Sequence, residues 1–400
     1  MIDFAPTDDQ ERFAEAAAAF GREVLEPAEI ALDKEPQPQR VFEGETFWQV
    51  LGQCFSMGFH KMGLGEPYGG LGLDMTSTGL VWEALARYGA GFAATLLPGA
   101  ATHQLISLFA ANNTELLERY VYPYCADTTG RKISAWGSSE PNIGSDGSNY
   151  EDRSVHHHTA AVKKGDRWIL NGTKSNFVSN GGIADVYLIF ASVNPADGLK
   201  GSGAFVVPGD APGLSRGSAV DKIGLRTLNQ APLFFDGVEI PESYMIFPPG
   251  EGYPMLHNSI ITVGNLGVGY LAVGLMRAAY EEALAYANER VQWGRPIREH
   301  QLITEKLFEA HIAIETARAY LWKGSWLVKT HFPGDLKTSL AAKIYATNRA
   351  IQVTTDMVQV LGGYGVTKEY KVEKYARDAT LLPIMDGTNE TLMIKAAKLL

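Results

Sequence analysis

The spacing of hydrophobic and polar residues changes twice along the chain. In the first third, apolar side chains recur every three or four residues, as in amphipathic helices, across residues 13–20, 46–57 and 75–88. Thr7, followed three residues later by Gln10, is typical of a capping box at the start of the first helix. The pattern therefore predicts an N-terminal helical domain over residues 1–133.

Residues 134–241 show a period of two, and β-branched and aromatic runs at 186–190 and 204–207 predict buried strands. Three dipeptides typical of tight turns punctuate the region, namely Asn171-Gly172, Asn180-Gly181 and Asp236-Gly237. A segment of this length with so many turn signals is typical of a small β domain, either a barrel or a sandwich.

From Tyr253 onward the helical period returns, with two long amphipathic faces around residues 271–286 and 308–320. We find no internal repeat and no low-complexity segment. The sequence therefore predicts a C-terminal helical domain over residues 242–400. The fold class expected is a multidomain α+β protein, with a β domain between two helical ones.

Charge and composition narrow the expected partners and location. The formal net charge of −10 over 400 residues disfavours nucleic acids and anionic membranes as partners. Because no run of about 18 uninterrupted apolar residues occurs, we expect no membrane insertion. The acidic N-terminus lacks a secretion signal, which predicts a cytoplasmic protein. Cys54 and Cys125 have no metal-binding spacing and are expected to be reduced thiols.

Two strings could be mistaken for ligand sites. Residues 267–272 match a relaxed GxGxxA dinucleotide fingerprint, but the sequence stays helical through Val291, so small residues for close helix packing are favoured. His156, His157 and His158 could suggest a metal site. Neighbouring side chains of an extended segment point to opposite sides, so we interpret them as a solvated loop and expect no metal.

Polar residues of the β region could hold a planar ligand. The string from Ser138 to Asp146 is rich in Gly and Ser, which leaves N–H groups and hydroxyls free, although such strings are more often surface turns. Phe177 and Ser179 lie two positions apart, which predicts that both point to the same side of a strand. A flat apolar face beside a hydroxyl suits a heteroaromatic ring.

Two charged residues each have more than one open interpretation. Arg290 ends a predicted helix, where it could pair with the helix carboxyl end, with Glu289 or with an outside phosphate. Asp386 lies between an apolar run and Gly387, so it could cap a helix or be a carboxylate whose pKa is raised by apolar neighbours. A raised pKa is what a general base needs near neutral pH.

Six strings, in the same order over nearly the whole chain, resemble the acyl-CoA dehydrogenase family. Individually they are moderate signals, and together they are strong. They are Ser139-Glu-Pro-x-x-Gly-Ser-Asp146, Asn171-Gly-Thr-Lys174, Glu289-Arg-x-x-x-Gly294, Leu361-Gly-Gly-x-Gly365, Arg377-Asp-Ala379 and Asp386-Gly-Thr388.

This resemblance implies a C-terminal four-helix bundle, a homotetramer, and FAD held between the β domain and the bundle. Phe177 would pack on the flavin, Ser179 would donate a hydrogen bond to its N5, and Arg290 of a neighbouring subunit would meet the pyrophosphate. The full set implied for FAD is Trp136, Ser138, Ser139, Phe177, Ser179, Arg290, Gln301, Gln359, Gly362, Gly363, Thr388 and Glu390. Substrate contacts would come from Ser145, Asn265 and Gly387.

The resemblance also implies a reaction. Asp386 would remove the α-proton of an acyl thioester while the β-hydride passes to flavin N5, which gives a 2-enoyl thioester. The substrate would be an acyl-CoA or an acyl group on a carrier protein. An electron-transfer flavoprotein or a similar acceptor would reoxidise the flavin.

Three departures from the family pattern bear on substrate choice. Asp386 stands where the family usually has Glu, and the alternative base position, in Val263-Gly264-Asn265, has no carboxylate. Asn265 stands where many members have Arg. One extra residue between Lys174 and Phe177 predicts a bulge in the strand.

Two alternatives stay open at this point. An Asp base also occurs in nitroalkane-oxidising relatives of this fold, so a C–H oxidase of that kind is the second hypothesis. The third is a non-catalytic helper protein that keeps the fold without flavin. The flavin strings and Asp386 argue against the helper protein and favour a dehydrogenase. Its acyl thioester could be branched, cyclic or otherwise non-standard, since Asp386 is the shorter acid.

Overall fold

The computed structural model describes residues 4–400, and its first part is helical as predicted. The capping box is confirmed, because the Gln10 backbone N–H donates to Thr7 Oγ1 at 3.3 Å and the Thr7 N–H donates to Gln10 Oε1 at 3.0 Å. The helices of this part are α1 (Asp8–Phe20), α2 (Glu26–Asp33), α3 (Pro38–Glu43), α4 (Glu45–Ser56), α5 (Met75–Phe109), α6 (Thr114–Leu116) and α7 (Tyr122–Ala126).

The central region forms one hydrogen-bonded sheet of eight strands, namely β1 (Ser134–Gly137), β2 (Ala160–Lys164), β3 (Arg167–Ser179), β4 (Val186–Ser192), β5 (Ser202–Pro208), β6 (Leu214–Arg216), β7 (Gln230–Pro241) and β8 (Met245–Phe247). Seven of them follow the order β6-β7-β3-β2-β4-β5-β8. Strand β1 lies off this path and pairs in parallel with β4, beside the single β2–β4 pair at Ala160 and Ser192.

Only one of the three predicted tight turns is a turn. Asn180, at φ 63°, is the third residue of a turn closed by the Gly181 N–H donating to Val178 O at 2.9 Å. Asn171-Gly172 and Asp236-Gly237 instead lie inside β3 and β7, where the pairing shifts register. The Gly237 N–H donates to Asn171 Oδ1 at 2.8 Å, so both dipeptides form one bulge between paired strands. Glycines at positive φ serve a bulge as well as a turn, which is why the prediction was wrong there.

The C-terminal part is helical, as predicted, apart from a short hairpin. Its elements are α8 (Tyr253–Glu289), β9 (Val291–Gln292), β10 (Arg295–Pro296), α9 (Gln301–Thr330), α10 (Leu336–Leu361), α11 (Val372–Ala379) and α12 (Asn389–Ala397). The expected domain order of helices, sheet and helices is therefore confirmed.

The glycines of the GxGxxA string lie within α8, and they serve helix packing. A Cβ on Gly267 would lie 3.1 Å from Leu97 of α5, and one on Gly269 would overlap Leu321 of α9. Both α5 and α8 are long and apolar enough, by length and composition alone, to cross a membrane. In this fold 61% and 83% of their most apolar windows are buried, so they are core helices packed against each other.

A buried ion network joins all three parts of the chain. Lys374 of α11 bonds Glu29 of α2 at 3.1 Å and Asp378 at 2.6 Å, and none of these side chains reaches solvent appreciably. The other Asp378 oxygen accepts the Leu225 N–H, from the loop between β6 and β7, at 2.6 Å. This network fixes α11 and hence the segment that follows it, which carries Asp386.

Candidate active site

One cleft of about 480 Å³ lies between the β sheet, the first turns of α8 and the segment between α11 and α12. It contains eight of the residues singled out from the sequence. These are Trp136, Ser138, Ser139, Ser145, Phe177, Ser179, Asp386 and Gly387. Residues from a strand end, two loops and a distant C-terminal segment therefore meet at one place.

The Ser138-Ser139 wall is held by a buried ion pair. Lys174 of β3 bonds Glu140 at 2.7 Å, and both side chains are almost fully inaccessible to solvent. The Lys174 ammonium also donates to Ser138 O at 3.1 Å, and the Glu140 carboxylate accepts the Thr159 N–H at 3.0 Å. Because a buried charge needs a partner, this pair fixes the backbone that presents both serine hydroxyls.

The end of β3 carries the aromatic and hydroxyl pair. Phe177 and Ser179 both line the cleft, and 63% of Phe177 is exposed. The predicted bulge is present, because the pairing of β3 with β7 shifts register between Lys174 and Val178. Gln230 of β7 donates to Ser179 Oγ at 3.3 Å, which leaves the Ser179 O–H free to donate into the cleft.

His157 corrects the interpretation of the three histidines as a solvated loop. Its ring is buried, and it hydrogen-bonds Ser202 Oγ at 2.8 Å and Ser138 Oγ at 3.4 Å. Burial keeps its pKa well below the usual value, so the ring is neutral. Within residues 4–400 no group of three or more metal-ligating side chains occurs.

Asp386 occupies a strained turn on the cleft wall. Its φ of 50° and that of Gly387, 95°, are both left-handed, which turns the chain sharply before α12. Thr388, whose hydroxyl accepts the Thr391 N–H, caps that helix, so the N-cap interpretation of Asp386 is wrong. Burial raises the pKa of Asp386, while nearby Lys343 opposes the rise.

The carboxylate of Asp386 lies against the α8 backbone. A Cβ built on Gly264 would be 2.8 Å from Asp386 Oδ2, so a side chain at this position would meet the acid. Asn265, the next residue, is fully buried and does not line the cleft. Its Nδ2 donates to Ile261 O at 2.8 Å and to Asp386 O at 3.3 Å, so it supports the Asp386 segment from behind.

Seven residues implied for FAD lie outside this cleft. Arg290 follows the end of α8, exposed, with its guanidinium 5.9 Å from the Tyr364 ring. Thr388 caps α12, and the others are exposed on the C-terminal helices, namely Gln301, Gln359, Gly362, Gly363 and Glu390. Their roles therefore stay predictions that depend on how a second subunit packs against these surfaces.

Several cleft residues were not predicted from the sequence. Gln230 and His257 line it, as does Lys222, whose ammonium bonds Leu228 O and whose pKa burial lowers to about 7. Lys343 lies behind the wall, on α10. No local motif marks these four residues, because each reaches the site through tertiary packing, so no signal in a single sequence could have found them.

Comparison with known proteins assigns this architecture. Models of the acyl-CoA dehydrogenase N-terminal, middle and C-terminal domains match residues 7–127, 135–238 and 250–400. The chain belongs to the acyl-CoA dehydrogenase family. It is therefore an oxidoreductase that acts on CH–CH donors, and its cofactor is FAD.

Relatives in this family align along nearly the whole chain. A short-chain specific acyl-CoA dehydrogenase from Megasphaera elsdenii is 33% identical over 100% of both chains. A cyclohex-1-ene-1-carbonyl-CoA dehydrogenase from Geobacter metallireducens is 34% identical over 86% of this chain and 88% of its own. The solved butyryl-CoA dehydrogenase of M. elsdenii has a TM-score of 0.87 at 31% identity and 99% coverage of each chain.

A second solved chain comes from the structure of the electron transferring flavoprotein of Acidaminococcus fermentans, which concerns flavin-based electron bifurcation. It aligns with a TM-score of 0.89 at 31% identity, covering 99% of both chains.

The cleft residues fit FAD. The exposed face of Phe177 offers a flat apolar surface that a planar ring can cover, and Trp136 lies on the same cleft. Three hydroxyls border the cleft as hydrogen-bond partners for the polar edge of such a ring, from Ser138, Ser139 and Ser179.

Proposed function

We propose that this acyl-CoA dehydrogenase removes the α- and β-hydrogens of an acyl thioester, with Asp386 as the base. One observation carries the assignment: among the described residues that line the cleft, Asp386 is the sole carboxylate. Its pKa is raised by burial, which moves it toward the range of an effective base near neutral pH.

The backbone around Asp386 supplies a second element of the mechanism. Asp386 lines the cleft, and within residues 4–400 its backbone N–H has no hydrogen-bond partner. A free N–H can donate to the thioester carbonyl and stabilise the negative charge that develops there as the α-proton leaves. FAD, when bound, supplies the two-electron acceptor for the β-hydride.

We infer a short or compact acyl group as the substrate. The cleft of about 480 Å³ must hold the flavin ring as well as the acyl group, which leaves little room for a long chain. The relatives named for short-chain and cyclohexene carboxylic substrates agree with this inference. CoA is the proposed carrier, and a carrier protein is the alternative.

Asp386→Asn tests the base. The variant should bind FAD, seen as normal flavin absorbance, yet lose anaerobic flavin bleaching by butyryl-CoA and cyclohexanecarbonyl-CoA. Asp236→Asn is the matched control, because Asp236 is an exposed aspartate on β7 away from the cleft. Full flavin bleaching by Asp386→Asn would show that Asp386 is not the base.

The same assay addresses the remaining alternatives. Bleaching by a nitroalkane but by no acyl thioester would favour the C–H oxidase. The non-catalytic helper has less support, because the relatives across the full chain are named as enzymes. An electron-transfer flavoprotein as acceptor, a homotetramer and a cytoplasmic location complete the proposal, and the A. fermentans structure supports the first of these.

A further inference from the structure

The loop that carries Asp386 is held against α10 by a buried cation. Lys343 lies on α10, and its side chain is completely inaccessible to solvent. Its ammonium donates to Pro383 O at 3.1 Å, to Gly387 O at 2.8 Å and to Asn389 Oδ1 at 2.9 Å. An ammonium has three N–H groups, so all of its donors are used on this loop.

The three acceptors lie on both sides of Asp386. Pro383 precedes it, while Gly387 and Asn389 follow it. The ammonium therefore bridges the two ends of the loop, on either side of the residue that must be positioned. Asn389 is itself buried and is fixed from the other side, because its Nδ2 donates to Thr347 Oγ1 at 3.0 Å. The left-handed φ of Asp386, 50°, is costly for a non-glycine residue and needs such support from its surroundings.

We propose that Lys343 is a positioning residue for the base, which holds the 383–389 loop and sets the charge environment of Asp386. This inference rests on the proposed role of Asp386. Lys343 does not hydrogen-bond the Asp386 carboxylate, and it acts on that group through the loop and through its charge. Within residues 4–400 no carboxylate forms an ion pair with Lys343, and the nearby opposite charges are those of Asp386 and Glu390.

The titratable groups around Asp386 come from four elements. Lys343 lies on α10 and Glu390 in the first turn of α12, and His257 of α8 and Lys222 of the loop before β7 line the same cleft. Burial lowers the pKa of His257 to about 4, so its ring is neutral near pH 7. The pKa of Asp386 is raised by burial and lowered by Lys343. Burial lowers the pKa of Lys343 to about 7, while Asp386 and Glu390 hold it up. Loss of the Lys343 charge should therefore raise the pKa of Asp386.

The test measures proton removal separately from oxidation. Acetyl-CoA has an α-carbon but no β-carbon, so it can exchange α-protons at the base without being dehydrogenated. The FAD-loaded protein is incubated with acetyl-CoA in D₂O, and deuterium uptake at the α-carbon is followed by NMR across pH. The rate reports how the base is positioned, and the midpoint of its acid limb reports the pKa of the base.

Lys343→Met removes the charge and all three donors. We expect exchange to fall on the order of a hundredfold, because a shift of about 1 Å in a reacting group has that effect. The midpoint should also move to higher pH. Lys343→Arg keeps the charge, so its midpoint should stay near that of the wild type even if its rate falls.

A second variant covers the case in which Lys343→Met does not fold. Asn389→Ala removes one acceptor and leaves the charge, so exchange should slow with an unchanged midpoint. Thr354→Val is the matched control, since Thr354 is a buried polar residue on α10 whose hydroxyl bonds only its own helix, at Ala350 O and Ile351 O. The control should match the wild type in rate and midpoint.

Hydrogen–deuterium exchange of the 383–389 backbone gives a readout independent of chemistry, and it should rise in Lys343→Met and in Asn389→Ala but not in the control. If folded Lys343→Met keeps the wild-type rate and midpoint, or if Asn389→Ala changes neither α-proton nor backbone exchange, the positioning role is wrong. If the wild type itself exchanges no α-protons, the base assignment fails instead, and the two failures are distinguishable.

Discussion

At the scale of single residues, the reach of Asp386 depends on what faces it. An aspartate is one methylene shorter than the family's usual glutamate, which draws its oxygens back by about 1.5 Å along an extended chain. In this protein the carboxylate lies against Gly264 of α8, where a Cβ would be 2.8 Å from Oδ2. The absence of a side chain at Gly264 therefore leaves the space that the Asp386 carboxylate occupies.

Gly264→Ala tests that dependence. The added methyl meets the end of the Asp386 side chain rather than backbone, so the fold should survive with a small change in melting temperature. The displaced carboxylate should slow α-proton exchange of acetyl-CoA on the order of tenfold to a hundredfold. Gly63→Ala is the control, since a Cβ at Gly63 has no neighbour within 4 Å. Wild-type exchange in Gly264→Ala would show that the acid is placed by other contacts.

At the scale of elements, α5 and α8 pack closely enough that their backbones approach each other. Gly274 of α8 lies against the backbone of α5, where a Cβ would be 2.6 Å from Glu83 O and 2.9 Å from Arg87 N. Glu83 is buried there and bonds Arg277 of α8 at 2.7 Å and Arg318 of α9 at 2.8 Å. Three helices are thus held together at one point.

Gly274→Ala should consequently destabilise the protein by about 1–3 kcal/mol, because two backbones must separate to admit the methyl group. Gly267→Ala is a matched control on the same helix, since its Cβ would meet only the movable end of Leu97 at 3.1 Å. Urea or thermal unfolding of both variants measures the difference. Equal stability of the two would contradict the close approach of the α5 and α8 backbones at Gly274.

At the scale of the whole molecule, the surface of the C-terminal helices is unusually apolar for an isolated chain. Trp293 of the β9–β10 hairpin is 94% exposed, and Leu302 and Phe308 of α9 are exposed as well. The residues implied for the far end of FAD, such as Arg290 and Gln359, lie on the same group of helices. Both observations support assembly with further copies, as a closed homotetramer requires.

Phe308→Asp should lower the mass measured by light scattering from that of a tetramer to a smaller species, because it places a charge in an apolar contact. FAD affinity should fall with it if the neighbouring subunit binds the cofactor. Val162→Asp, on the exposed side of β2, is the control for a new surface charge. A wild-type monomer at micromolar concentration would contradict the tetramer.

Much of this protein could be predicted from its sequence. The spacing of apolar residues predicted the order of the domains, and the Thr7–Gln10 spacing predicted the capping box. Both signals depend only on neighbouring residues. The motif strings indicated the family, and the resemblance implied eight of the residues that line the cleft. The Asn171 and Asp236 dipeptides were misplaced, since glycine freedom at positive φ does not distinguish a turn from a bulge between paired strands.

What the sequence could not determine is how residues distant along the chain act on one another. Three contacts show this, and each joins segments that are tens to more than a hundred positions apart. They are the hydrogen bond of the buried His157, the contact of Asp386 with Gly264, and the hydrogen bonds of Lys343 to residues 383–389. Burial and hydrogen-bond geometry, which set the pKa and reach of a base, exist only once those segments pack. The sequence therefore determined the family, and the tertiary structure decided how its catalytic aspartate is held.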